Sequence, residues 1–584
     1  VRGLQGDDLR AGVVATPKHF AGHGWPEGGR NRAPLHAGAR ELREVHLFPF
    51  EVAVRLGRAK SIMAAYNDID GVPCHANRWL LTDLLRGEWG FDGYVVSDGG
   101  GVELLVTMHR VARSCAEASS IALAAGVDSE NAVSLARRCY PSLVEAVRKG
   151  MLPEDVLDNA VRRVLKVKEE LGLFDNPFVD LSGVPERLDN EGARELARRA
   201  AQESIVMLKN DGVLPLPRSP GSVALIGPAA SDRRAFLGDY HYGPHYSLED
   251  ATVDVPTLLE AMKARGVKVN YAKGCDYLCN DASGFDEAVR AAEESDYVVL
   301  AVGERSGLDP SWRGKTYAQE QALSGENIDV DSLGLPGLQA ELVRQVSRAG
   351  RPTVLILVGG RPLSIGDLLG NVNAVLEAWL PGEEGGNAIV DVLFGDADPG
   401  GRLPVSVPES VGQLPVYYYM RPLSWAKGYL DRPLRPLFPF GFGLSYGAYE
   451  YSDLSVSPRV VGPDGQVEVT LRVRNKSSRR GTEVVQLYVS RPFASVVRPV
   501  RQLRGFARVW LAPGEEVHVR FRLPVEALGY YDALMRYVVE EGEYTVEVGS
   551  SSDDIRLRDS FTVSSTAEVR RRSSYLTDVE VRRG

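Results

Sequence analysis

The sequence predicts a multidomain α/β chain that closes with an all-β sandwich. Three observations carry this. Short apolar runs alternate with amphipathic stretches through the first 175 residues. Long β-branched runs then alternate with helical patterns between about residues 191 and 382. From about Tyr451 the text alternates with period two and carries turn signals. The length agrees, since 584 residues suggest about three or four domains of ordinary size.

In the first region the apolar runs are 12–16 (GVVAT), 61–65 (SIMAA), 94–96 (YVV) and 122–127 (ALAAGV). Helical patterns occupy 39–56, 77–89 and 102–121, with further helical text at 141–149 and 154–172. Strand–helix alternation at this spacing implies parallel strands joined by crossover helices. Polar residues stand at the run ends: Lys18 and His19, Tyr66 and Asn67, Ser97 and Asp98, and Asp128. A β/α barrel and an open doubly wound sheet both place their chemistry at strand C-termini, so this pattern leaves both open.

The second region opens with a helix over 191–203. Strand text follows in 204–216, 222–227, 267–274, 296–304, 352–360 and 372–382, with helices near 256–265, 285–294 and 338–349. That is a separate α/β domain with a buried sheet. The stretch 403–443 is dense in Pro, Gly and Tyr and reads as a connector. Beyond it, VEVTLRVRNKS, TEVVQLYVSR, EVHVRFRLP and GEYTVEVGSS describe an immunoglobulin-like or fibronectin-like sandwich. Residues 565–584 are Arg-rich and show no period.

Composition narrows the function. A hydrophobic share of 44% and a charged share of 25% exclude a disordered, collagen-like or coiled-coil chain. The net charge of −10 and a pI near 5.6 argue against a nucleic-acid binder. No apolar run reaches the roughly 18 residues of a membrane span. The chain opens VRGLQGDD without Met, signal pattern or tag and reads as starting within something longer, so its compartment stays unassigned. The five cysteines at irregular spacing make no disulfide framework. Cys275 and Cys279 invite pairing or metal binding, but no second pair completes a zinc site, and plain thiols are expected.

Several residues invite chemistry. Asp98, in GFDGYVVSDGG, is either a helix cap or a reactive carboxylate, and its flanking glycines let a substrate approach the backbone. With Lys18, His19 and Tyr66 at equivalent positions, it suggests a polar pocket floor. The following loop, 22–34, supplies Trp25, Glu27, Arg30 and Asn31, a mixture suited to sugar hydroxyls. Glu326 lies in a long irregular stretch with Glu320, Asp329 and Asp331, and spacing alone does not single it out. VGGRP (358–362) lacks the phosphate-loop ending, GDYHYGPHY (238–246) is no metal motif, and no G-x-S-x-G occurs.

KHFAGHG (18–24), PEGGRNRAPLHAGARELREVHLFPFEVAV (26–54) and AYNDIDGVPCHANRWLLTDLLRGEWGFDGYVVSDG (65–99) resemble the barrel domain of glycoside hydrolase family 3. AQESIVMLKNDGVLPL (201–216), LGDYHY (237–242), SGE (324–326) with LGLPGLQ (333–339), and PLFPFGFGLSYG (436–447) are similar to its later landmarks. The resemblance covers about residues 1–565 and is nearest to the three-domain β-glucosidases and β-xylosidases. It implies the C-terminal half of a (β/α)8-type barrel carrying the nucleophile at 1–185, then an α/β sandwich carrying the acid/base at 186–415. A connector at 416–450, an all-β fibronectin type III-like sandwich at 451–565 and a tail at 566–584 follow. It further implies a retaining mechanism, in which two carboxyls stand about 5–5.5 Å apart, one ionised and one protonated. Asp98 matches the nucleophile and Glu326 the acid/base; Lys18, His19, Tyr66 and Arg30 match the surroundings of the sugar.

The implied enzyme is a retaining exo-β-glycosidase, in the first place a β-glucosidase, acting on a β-linked oligosaccharide or aryl glycoside. No cofactor or metal is implied, and no nucleic-acid or membrane partner. A homo-oligomer or a missing barrel segment is left open, since the N-terminal part of the barrel is expected to be lacking. The alternatives are a β-xylosidase or α-L-arabinofuranosidase of the family, or an inactive fragment or sugar-binding chain. The text departs from the family at Gly99, where an aromatic residue is usual, at 125–139, and at 306–322, which looks inserted. It departs also at the start, where the family barrel begins well upstream.

Overall fold

The structure, a computed structural model, describes residues 1–584 except 133–137, 188, 242–252, 424–427 and 584, and leaves aside the side chains of 185, 186, 312, 313, 317 and 318. It divides into two compact units, Val1–Gly183 and Val184–Gly584.

In the first unit, strands Ser61–Ala64 and Tyr94–Ser97 pair in parallel, with Ile62 opposite Val95. The chain at 17–20 flanks the first of them. The Phe20 amide donates to the Met63 carbonyl at 2.8 Å, and the Ala65 amide donates to the Phe20 carbonyl at 2.8 Å. On the far side the Asp128 amide donates to the Val95 carbonyl at 2.8 Å and the Ser97 amide to the Ser129 carbonyl at 2.9 Å. Four parallel runs thus lie in the order 17–20, 61–64, 94–97 and 128–129. Helix Trp79–Glu88 buries Leu80, Leu81, Leu84 and Leu85 in one core with Phe20, Ile62 and Val95. That apolar stripe at helical spacing is what holds the helix on the sheet.

Two expected strands move. Residues 12–16 join no ladder; the Val13 amide donates to the Leu4 carbonyl at 2.8 Å, and the Ala15 amide donates to Gln5 Oε1 at 3.3 Å. The run 122–127 instead finishes helix Cys115–Ala125, because Ala and Leu are strong helix formers and continue it until Gly126 at φ 123°. Pairing resumes only at Asp128. The cysteine expectation also fails. Cys115 pairs with Cys139 and Cys275 with Cys279, while Cys74 is free and buried. Burial pushes the Cys74 thiol up to about 12.

The second unit holds a six-stranded sheet in the order Val206–Asn210, Ala374–Trp379, Thr353–Val358, Tyr297–Gly303, Ser222–Ile226, Lys268–Ala272. All neighbours are parallel except the edge strand Val206–Asn210, which runs antiparallel to Ala374–Trp379. The central strands are buried along their length except at Tyr297, as their uninterrupted apolar text requires. The stretch read as a connector is laced to this domain, with the Leu444 amide donating to the Met207 carbonyl at 2.8 Å.

A sandwich follows, with a four-stranded sheet (Tyr449–Ser457, Gln466–Asn475, Glu516–Pro524, Asp578–Arg583) and a five-stranded one. The expected tail at 566–584 is therefore partly structured. Asp578–Arg583 is an edge strand, with Val581 opposite Val519, and Ala567–Glu568 pairs with Tyr537–Val539. Its charges disguise it in the sequence: Arg522 pairs with Asp578 and Glu580 at 2.8 Å each, which suits a solvent-facing edge. Among the described residues no helix is long and apolar enough to cross a membrane.

Candidate active site

Within the first unit, three adjacent parallel runs deliver His19, Tyr66 and Asp98 to one end of the sheet. Asp98 directly follows strand Tyr94–Ser97 and is 8% exposed. Its Oδ1 accepts the Gly99 amide at 2.7 Å. Its Oδ2 lies 3.3 Å from His19 Nε2 and accepts no hydrogen bond among the described residues. The carboxylate is thus held by one oxygen and presents the other.

The backbone beneath it is fixed from another direction. The Asp98 amide donates to His75 Nε2 at 3.2 Å. Burial, with His109 nearby, pushes the His75 imidazole down to about 3, so it stays neutral and can accept that bond. Gly101 completes the arrangement, because a Cβ there would stand 2.2 Å from His75 Nε2. Tyr66 is tied at two points: its hydroxyl donates to the Gly99 carbonyl at 2.8 Å, and His109 Nε2 donates to the Tyr66 carbonyl at 2.8 Å. The Arg32 guanidinium stacks 4.4 Å from the Tyr66 ring centroid, and the His19 and His23 rings lie 4.4 Å apart.

The other expected residues fall differently. Lys18 is exposed. Arg30 is exposed too, its Nε donating to the Glu27 carbonyl at 3.5 Å, and Arg32 rather than Arg30 packs on Tyr66. Asp128 serves the fold. Its buried carboxylate accepts from Arg86 at 2.6 Å, Arg163 at 2.8 Å and the Val95 amide at 2.8 Å. Sequence reasoning did not single out His75, His109, His23 or Arg32. His23, Arg32 and His75 stand inside the motifs KHFAGHG, PEGGRNRAP and GVPCHANRW without being marked there, and His109 stands in none of them.

Within the second unit, Glu326 sits in a loop built to hold one conformation. Its amide donates to Asp239 Oδ2 at 2.8 Å, and the Tyr240 hydroxyl donates to Glu326 Oε2 at 2.5 Å. Gly325 has φ 127°, and a Cβ there would meet the Gly307 carbonyl oxygen at 2.0 Å, so no other residue fits. The loop base is closed by the Leu323 amide on the Arg305 carbonyl and the Gly307 amide on the Ser324 carbonyl, 2.9 Å each. Glu320, its acidic neighbour, is committed to Lys315 at 2.6 Å, whereas Asp329 is exposed. In GDYHYGPHY, residues 242–246 lie outside the described residues; so do 133–137 of the departing stretch 125–139. Among the described residues no group of three His, Cys, Asp or Glu side chains could hold a metal ion.

Comparison with known proteins places these features. Residues 1–167 match the glycosyl hydrolase family 3 N-terminal domain, 205–446 its C-terminal domain, and 483–552 a fibronectin type III-like domain. The N-terminal match begins at residue 1, which lends no support to the expectation that part of that domain is missing. A beta-xylosidase of Formosa agariphila is 39% identical over 563 residues, covering 93% of this chain and 75% of that protein. A periplasmic beta-glucosidase of Salmonella typhimurium is 34% identical, covering 95% and 74%. The crystal structure of a beta-glucosidase from Listeria innocua with isofagomine superposes with a TM-score of 0.87 at 33% identity, covering 96% of this chain and 77% of that one. Sequence, domain order and three-dimensional likeness converge along nearly the whole chain, which belongs to glycoside hydrolase family 3.

Proposed function

We propose that the chain is a retaining exo-β-glycosidase, a β-glucosidase in the first place, with Asp98 as nucleophile and Glu326 as acid/base. The observation that carries this is Asp98 itself: a buried carboxylate at a parallel strand end, one oxygen held by Gly99 and the other presented beside His19. Residues 1–185 then form a barrel-type domain carrying the nucleophile, and 186–415 an α/β sandwich carrying the acid/base. The connector 416–450 and the sandwich 451–565 follow. Lys18, His19, Tyr66 and Arg30 surround the terminal sugar.

In the first step Asp98 Oδ2 attacks C1 while the C1–O bond breaks and Glu326 gives its proton to the departing oxygen. In the second, Glu326 takes a proton from water, the water oxygen bonds to C1, and the ester to Asp98 breaks. The Tyr240 hydroxyl, donating to Glu326 Oε2, orients the carboxyl for both steps.

A β-xylosidase is the second reading, favoured by the similarity to the Formosa agariphila beta-xylosidase. A pocket that merely tolerates or excludes one extra CH2OH discriminates by only about 1–3 kcal/mol, so the two activities are separated by assay. Aryl β-glucoside and β-xyloside hydrolysis is measured for wild type, Asp98→Ala and Glu326→Ala. Asp98→Ala is expected to lose at least about 1,000-fold in kcat. Azide should restore turnover of activated substrates by Glu326→Ala. Undiminished hydrolysis by Asp98→Ala refutes the assignment.

A further inference from the structure

We propose that Arg361 is a positioning residue for the acid/base loop, clamping the backbone on both sides of Glu326 while Glu304 holds its guanidinium in place. The inference rests on the reading of Glu326 as the acid/base, and names what fixes that carboxyl.

The geometry starts in the sheet. Strands Tyr297–Gly303 and Thr353–Val358 are parallel neighbours. Glu304 follows the first, and its amide donates to the Val358 carbonyl at 2.8 Å. Arg361 follows the second. Both side chains therefore leave the same end of the sheet, rooted in its most buried strands.

Arg361 uses its fork in two directions. Its Nε pairs with Glu304 Oε2 at 2.9 Å. Its Nη2 donates to the Leu323 carbonyl at 2.9 Å and to the Ile328 carbonyl at 3.2 Å. One nitrogen thus joins the entry and the exit of the segment 323–328, within which Glu326 lies. A guanidinium is rigid and planar, so fixing Nε fixes where Nη2 points. Glu304 is 3% exposed, and little water competes for this pair.

The alternative for a loop of this kind is to hold itself by its own turns. Segment 323–328 has one such bond, the Ile328 amide donating to the Gly325 carbonyl at 3.1 Å, which spans Glu326 but does not reach Leu323. The Glu326 amide reaches Asp239, Gly325 needs φ 127°, and Asn327 stands at φ 63°. The backbone bonds at the loop base hold its entry, and the turn bond holds its tip; Arg361 adds the tie that joins the entry at Leu323 to the exit at Ile328. A lysine's three donors radiate from one nitrogen on a flexible stem, without the fixed fork that sends Nε to Glu304 and Nη2 to the two carbonyls.

Arg361→Lys and Glu304→Gln, with Glu326→Ala alongside, are made in the full chain. The kcat/KM is measured on a dinitrophenyl and an unsubstituted phenyl glycoside of the sugar that wild type hydrolyses. Displacing the acid slows poor leaving groups selectively. Arg361→Lys should lose at least about tenfold more on the phenyl than on the dinitrophenyl substrate, in the direction of Glu326→Ala. Equal losses on both, or none, overturn the proposal. If Glu326→Ala itself shows no leaving-group dependence, the acid/base reading falls instead. Hydrogen exchange supplies a readout without catalysis. In Arg361→Lys the Glu326 amide should exchange at least about tenfold faster while strand Thr353–Val358 keeps its protection. Unchanged exchange at Glu326 overturns the clamp. Should Arg361→Lys fail to fold, Glu304→Gln must raise the same exchange and leaving-group ratios, and wild-type values there overturn the proposal.

Discussion

Glu377 stands inside strand Ala374–Trp379 and is 3% exposed, so its charge carries a measurable penalty. Burial, with the nearby Glu304 adding to it, pushes the carboxyl from 4.5 up to about 8, against a Trp379 amide bond at 3.2 Å. Glu304 is itself pushed up to about 7 by burial, opposed by Arg361. The native protein therefore keeps a proton on Glu377 that the unfolded chain releases above pH 4.5. Stability falls as pH rises through that window; the penalty is absent below about 4.5 and complete above about 8. The gap, 8 − 4.5 = 3.5, corresponds to at most about 5 kcal/mol at about 1.36 kcal/mol per pH unit. Glu377→Gln removes the charge and keeps an oxygen for the Trp379 amide. Its extra buried NH2 costs about 1–3 kcal/mol at every pH, so the comparison is between pH values rather than between proteins. Calorimetric unfolding of both proteins is followed at pH 5 and pH 9. The variant should gain about 2–5 kcal/mol relative to wild type on going from pH 5 to pH 9. Parallel pH curves would refute the reasoning.

Gly101→Ala places a Cβ 2.2 Å from His75 Nε2 and pushes away the ring that accepts the Asp98 amide, so kcat/KM should fall at least about tenfold, read on an activated aryl glycoside. Gly325→Ala meets the Gly307 carbonyl at 2.0 Å from φ 127°, and should cost about 100-fold in kcat and about 1–3 kcal/mol in stability, checked by kinetics and calorimetry together. Asp128→Ala strips the buried partner from Arg86 and Arg163 and should destabilise the first unit by about 3–5 kcal/mol in urea titration.

What the sequence shows of this fold depends on how local each cause is. Runs such as 296–304 and 352–360 become strands Tyr297–Gly303 and Thr353–Val358, because a buried parallel strand must be apolar on both faces. That Val206–Asn210 closes the sheet antiparallel is not in its text, since pairing partners lie far along the chain. ALAAGV misleads because an apolar run fits a buried helix end as well as a strand, and alanine decides it. The disulfide Cys115–Cys139 spans 24 residues and leaves no local mark.

The candidate site divides the same way. His19, Tyr66 and Asp98 are legible because strand ends are where a parallel sheet offers polar side chains. His75 is not, because it leaves a short turn, Cys74–Ala76, and reaches the Asp98 amide across 23 positions. Arg30 and Arg32 are alike on paper; φ 67° at Arg32 turns the chain so that Arg32 stacks on Tyr66. Glu326 is the sharpest case. Glu320, Glu326, Asp329 and Asp331 are near-equivalent acids in one irregular stretch, and composition cannot rank them. Tertiary contacts separate them: Asp239, Tyr240 and Arg361 all converge on the backbone or carboxyl of 323–328, while Glu320 is spent on Lys315. A carboxyl's reactivity is local chemistry, but which carboxyl the fold holds ready is decided by residues that approach it from far along the chain.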